Sequence, residues 1–82
     1  MEVYVITIDE VYDYETYNHT PRVFKNRKDA QEEFDAIVAE AKKDAAQDGW
    51  VESQGASYYE AYPDGWYGTS HYCVSLIATQ LR

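Results

Sequence analysis

Residues 2 to 12 alternate between two sets of side chains and are rich in β-branched types, the pattern of a β-strand. One set is Val3, Val5, Thr7, Asp9 and Val11, and the other is Tyr4, Ile6, Ile8, Glu10 and Tyr12. Neither set is plainly polar, so the strand is expected at the centre of a sheet. Residues 13 to 20 read as a polar turn region. Residues 21 to 24 read as a short returning strand that Pro21, lacking an amide hydrogen, confines to an edge.

The period then changes. Asn26 is placed as a helix N-cap with Asp29 three residues on, and Gly49 as the residue that ends the helix. Between them Ala30, Phe34, Ile37, Val38, Ala41 and Ala45 recur at helical spacing on one arc, which predicts an amphipathic helix over residues 27 to 47. Glu32, Asp35, Glu40, Lys42 and Lys43 fall on the other side. Residues 50 to 56 read as a connector, 57 to 62 as a strand, and Pro63-Asp64-Gly65 as a turn. Residues 66 to 81 read as a long strand able to bend at Gly68. Its more apolar face is Tyr72, Val74, Leu76 and Ala78, against His71, Cys73, Ser75, Ile77 and Thr79. The expectation is one α+β domain of ββαββ order, residues 1 to 82: a four-stranded, mostly antiparallel sheet with one helix on one face. A helix covers one face of such a sheet and not both. The other face is left to water, a second copy of the chain or a partner.

Length and composition sharpen that picture. A chain of 82 residues with few large aliphatics must enlist its nine tyrosines and two tryptophans in packing. One cysteine, Cys73, permits no intrachain disulfide, and the first residues show no basic-then-apolar leader. No apolar run approaches the roughly 20 residues of a membrane span. A soluble, cytoplasmic protein is expected. Fifteen acids against seven lysines and arginines give a formal charge of −8, which argues against direct nucleic-acid or membrane binding. The charge is segregated: Arg22, Lys25, Arg27 and Lys28 cluster, while Asp9, Glu10, Asp13 and Glu15 have no base among them.

Two surfaces therefore suggest function. The acids could steer a basic partner or serve only solubility. The tyrosines crowd both hairpins, and aromatic rings are the usual anchors of protein interfaces. Glu10, Asp13, Tyr14, Glu15, Tyr17, Glu60, Asp64, Trp66 and Tyr67 are the contact candidates against a basic protein surface. A homodimer pairing its uncovered sheet faces is the alternative. A third reading concerns His71 and Cys73, two apart on one strand and so on one side of it, which could supply two ligands of a zinc site or a nucleophile pair. Only His19 and carboxylates could complete a metal site, no Cys-x-x-Cys exists, and no third group is placed to orient a nucleophile. No glycine-rich phosphate loop appears. Neither an enzyme nor a cofactor is expected.

The opening Val3-Tyr4-Val5-Ile6-Thr7, the Arg22-Val23-Phe24 strand before a charged helix, and Glu60-Ala61-Tyr62-Pro63-Asp64-Gly65-Trp66-Tyr67 with His71 beyond also carry a resemblance. The arrangement resembles small ββαββ proteins carried by phages and mobile elements of gut bacteria. That resemblance spans most of the chain and implies a context, with no activity and no functional residue. Small acidic domains in that context are often inhibitors of host or defence proteins, anti-CRISPR proteins included.

Overall fold

The computed structural model describes residues 1–63 and 70–80. Its elements run β1 (Glu2–Tyr12), β2 (Glu15–Asn18), β3 (Arg22–Phe24), α1 (Arg27–Asp48), β4 (Val51–Gln54), β5 (Tyr58–Tyr62) and β6 (His71–Gln80). The fold is α+β with one helix. The sheet, however, has six strands rather than four, so the ββαββ order does not hold. Its order is β2-β1-β6-β5-β4, with β3 also paired to β1, and every pairing is antiparallel.

The two unexpected strands share a cause. Glu15-Thr16-Tyr17-Asn18 and Val51-Glu52-Ser53-Gln54 are exposed along their whole length, so burial imposes no alternation of apolar and polar residues on them. Backbone pairing, helped by the Tyr17 ring on Tyr12 and the Glu52 carboxylate on Tyr59, makes them strands at the edges of the sheet. In the first hairpin the turn is only Asp13 and Tyr14, both at positive φ (51° and 70°), as a two-residue type I′ hairpin requires. The return strand then breaks around Pro21 and resumes as β3. Asp9 to Tyr12 pair with β2, and Tyr4 to Ile6 pair with β3. β1 therefore lies centrally, between these short strands and β6, and the proline-led strand lies at an edge.

The helix starts and stops where its caps dictate. The Asn26 side chain accepts a hydrogen bond from the Lys28 amide (2.8 Å), filling a donor that no helical carbonyl can reach. At the other end Gly49 adopts φ 70°, which costs an L-residue about 1–2 kcal/mol and glycine almost nothing. The amides of Gly49 and Trp50 close back on Ala46 and Ala45.

The even-numbered face of β1 and β6 receives the helix. Ile6 and Ile8 stand opposite Leu76 and Val74, and Val74 stands opposite Tyr59 of β5. Phe34 and Val38 descend onto them from α1 to form the core. Phe34 and Tyr59 are fully enclosed, 1% and 0% exposed, and the Tyr59 hydroxyl escapes sideways to donate to Glu52 (2.5 Å). This is how a tyrosine can serve as a core residue in a chain short of aliphatics. The helix changes character along its length. Beyond Val38 its sheet-facing positions are Ala41 and Ala45, and the sheet beneath offers Ala61. Large side chains fill the first half of the helix–sheet interface, whereas small ones leave space in the second.

Candidate functional site

That space is a cleft of about 330 Å³ between the last turns of α1 and the ends of β1, β5 and β6. Ile37, Ala41 and Ala45 from the helix, with Ile8 and Ala61 from the sheet, give it an apolar floor. Tyr12, Trp50 and Tyr72 form its aromatic walls. The rings of Tyr12 and Trp50 are 6.1 Å apart and tilted by 42°. Behind the wall, Tyr17 braces Tyr12 at 6.1 Å, and Tyr59 meets Tyr72 edge-on at 6.5 Å. Such tilted contacts are favourable aromatic geometries and hold the walls in place.

Carboxylates surround the aromatic walls. Glu40, Asp44 and Asp48 line one margin, spaced four residues apart on the helix edge next to the Ile37-Ala41-Ala45 row. Glu10 enters from β1, accepting from the Tyr12 hydroxyl (3.1 Å) and bonding His19 through its other oxygen. The basic side chains along the cleft are already engaged, Arg22 by Glu33 (3.0 Å) and His19 by Glu10. The last turn of α1 holds no base to balance its carbonyl ends, so the helix dipole adds to the negative field. The phenols register that field. Tyr12 and Tyr72 are both pushed up to about 12, by burial first and then by the Glu10 charge, with Asp44 contributing to each and Arg22 partly opposing at Tyr72. Both rings stay neutral across the physiological range.

The contact candidates read from the sequence divide among several places. Glu10 is in the cleft. Glu15 and Tyr17 stand on β2 beside it, with the Tyr17 hydroxyl donating to Glu15 (2.8 Å). Asp13 and Tyr14 form the hairpin tip, where Tyr14 is 76% exposed in a left-handed conformation that bulky residues rarely adopt. Glu60 lies on the opposite face of the sheet, in register with Cys73. Asp64, Trp66 and Tyr67, with the expected turn and the bend at Gly68, lie outside the described residues. The sequence reading missed Tyr12, Asp44, Trp50 and Tyr72 as a group. Its available signal was the acid row at 40, 44 and 48 flanking small residues at 41 and 45.

The sheet face away from the helix differs in character. The register aligns Val23, Val5 and Ile77 in one apolar row across three strands, with Val23 62% and Ile77 50% exposed. Two rows further along, Asp9, Cys73 and Glu60 align. Burial pushes the Cys73 thiol up, and Glu60 and Asp9 push it further, against a lowering hydrogen bond with Ser75. A thiol so placed stays protonated and is a weak nucleophile. His71 shares this face with Cys73, as the alternation predicts. Among the described residues no three His, Cys, Asp or Glu side chains gather closely enough to hold a metal ion. Among the same residues no helix is long and apolar enough to cross a membrane.

No protein-family model, curated protein or solved structure matches the chain.

Proposed function

We propose that the protein is a non-enzymatic binding module that engages a basic protein surface through the acidic, aromatic end of its helix–sheet interface. The observation that carries this reading is the cleft itself, where Tyr12, Trp50 and Tyr72 converge with Glu10, Asp44 and Asp48. Carboxylates at a rim steer a positively charged partner, and rings set in a partly desolvated hollow anchor it. Tyr14 and Tyr17, on the adjoining hairpin, extend the same surface. In the sharper form of the proposal the partner handles nucleic acid, and this acidic end occupies its basic groove as a phage-type inhibitor would, an anti-CRISPR or other anti-defence protein being the clearest case.

A capture experiment from host lysate at low and high salt tests the reading with two sets of amide substitutions. One set neutralises the cleft (Glu10→Gln, Glu40→Gln, Asp44→Asn, Asp48→Asn) and the other the opposite face (Asp9→Asn, Glu60→Gln). The expected outcome is a basic protein retained at low salt by the wild type and by the second set, and lost by the first. Loss only with the opposite-face set would reject the cleft as the contact surface.

The apolar Val23-Val5-Ile77 row favours a second reading, a homodimer paired through the uncovered sheet faces in an accessory role. It places the interface away from the cleft, so the two readings differ in where a contact is felt.

A further inference from the structure

Three features of the cleft restrict what kind of positive charge it suits. The first is the supply of hydrogen-bond acceptors. A primary ammonium carries three donors and a guanidinium five, and each must find an acceptor when it leaves water. Glu10 is the half-buried carboxylate of the cleft, and each of its oxygens already holds one partner, the Tyr12 hydroxyl or His19. That leaves about two acceptor sites, fewer than an ammonium or a guanidinium has donors. Glu40, Asp44 and Asp48 are exposed at the margin, where they set the field and remain in water.

The second feature is the floor, which is apolar throughout and formed largely by Ala41, Ala45 and Ala61. A hydrated ammonium gains nothing from such a surface, whereas methyl groups do. The third is the aromatic wall of Tyr12, Trp50 and Tyr72. Neutral rings attract a cation through their electron-rich faces, with indole strongest, and ask for no hydrogen bond in return. Positive charge spread over methyl groups satisfies all three conditions together, and the hollow is at the small end of the usual size of ligand sites.

We infer that the cleft bounded by Tyr12, Trp50 and Tyr72 is a binding site for a methylated ammonium group. This rests on the basic-partner reading and deepens it: a trimethylated lysine of that partner is one source of the group, and a free quaternary ammonium such as choline is the other. The rings hold the cation, the floor receives its methyl groups, and the rim carboxylates draw it in.

The test is a titration of the ¹⁵N-labelled full chain at matched ionic strength, following the Trp50 indole signal assigned by its loss in Trp50→Phe. The probes are tetramethylammonium, choline, N-acetyl-trimethyllysine methylamide and the corresponding lysine and arginine amides. The trimethylated compounds are expected to move the Trp50 signal and to bind about 10-fold more tightly than lysine, a ratio within the range of cation–π energies. Tyr12→Ala should abolish the shift, whereas Tyr12→Phe, which keeps the ring, should preserve it. Ala41→Leu, which fills the cleft with a good helix former, should also abolish it while the folded spectrum persists. Choline binding as tightly as trimethyllysine assigns the group to a free small molecule, and preference for trimethyllysine assigns it to a protein side chain. Lysine or arginine binding as tightly as the methylated probes overturns the inference and leaves the basic-partner reading intact. Absence of any shift at Trp50 also overturns it. The basic-partner reading falls separately, on the capture experiment with the cleft amides.

Discussion

Phe34→Ala is expected to abolish most of the stability of the fold. The ring is 1% exposed and bears on Ile6, Ile8, Val74 and Tyr59 from the first half of the helix. Removing a buried Phe costs about 3–5 kcal/mol, because lost transfer energy and the remaining cavity add. A domain of this size has roughly 4–12 kcal/mol in total at typical per-residue values. The midpoint of thermal unfolding should therefore fall by at least ~12 °C, with loss of a cooperative transition at the upper end of the range. Circular dichroism melts measure it, with Val23→Ala as the control. Val23 is mostly exposed on the other sheet face, and its truncation should change stability by less than ~0.5 kcal/mol. Equal effects of the two substitutions would mean that the helix-covered face is not the core.

The second large effect has opposite signs for stability and binding. Asp44 stands four residues from Glu40 and four from Asp48 on one edge of α1, two like-charge pairs near the negative end of the helix dipole. Asp44→Lys converts both repulsions into attractions and brings a base next to the last turn. Each pair changes by several tenths of a kcal/mol, so the total gain is about 1 kcal/mol and the melting point should rise by ~4–8 °C. The same substitution changes the net charge from −8 to −6, since each reversal adds two units, and places a cation at the cleft margin. Affinity for a basic partner should fall on the order of 10-fold at low salt, with less loss at high salt where the field is screened. Because the Asp44 charge raises both Tyr12 and Tyr72, ultraviolet titration should show the two phenols ionising at lower pH in the variant. A destabilising acid row beside an aromatic hollow is what a stability–function trade leaves if the cleft binds a basic partner. A variant that is both more stable and equally tight in binding would remove that argument.

How much of this was legible beforehand differs by element. The helix was readable from Asn26 to Gly49 because its caps and its apolar arc agree. So were the central place of β1, from its two apolar faces, and the edge position forced by Pro21. β2 and β4 were not, since exposed strands carry no periodic signal and are fixed by pairing that only the tertiary fold supplies. The candidate cleft was legible only in part. Acidity and tyrosine content pointed to the first hairpin, and Glu10, Glu15 and Tyr17 do lie in or beside the cleft. Trp50 was hidden because residue 50 read as connector. Asp44 and Tyr72 were hidden because only the tertiary fold brings the last turns of α1 over the start of β6. Glu60 lies away from the cleft. It follows Tyr59 directly in sequence, yet pleating puts Tyr59 in the core and Glu60 on the other face of the sheet, beside Cys73.

The central claim is that the acidic, aromatic cleft is the surface that meets positive charge. Its most direct test is the chemical-shift footprint of an oligo-arginine peptide on the labelled chain at low ionic strength. The expected perturbations concentrate at the cleft margin, Glu40, Asp44 and Asp48, with smaller ones at Tyr12, Trp50 and Tyr72 and with Val23, Ser75 and Ile77 unmoved. Perturbations centred on the Val23-Val5-Ile77 row, or spread evenly over every acidic residue, would contradict it.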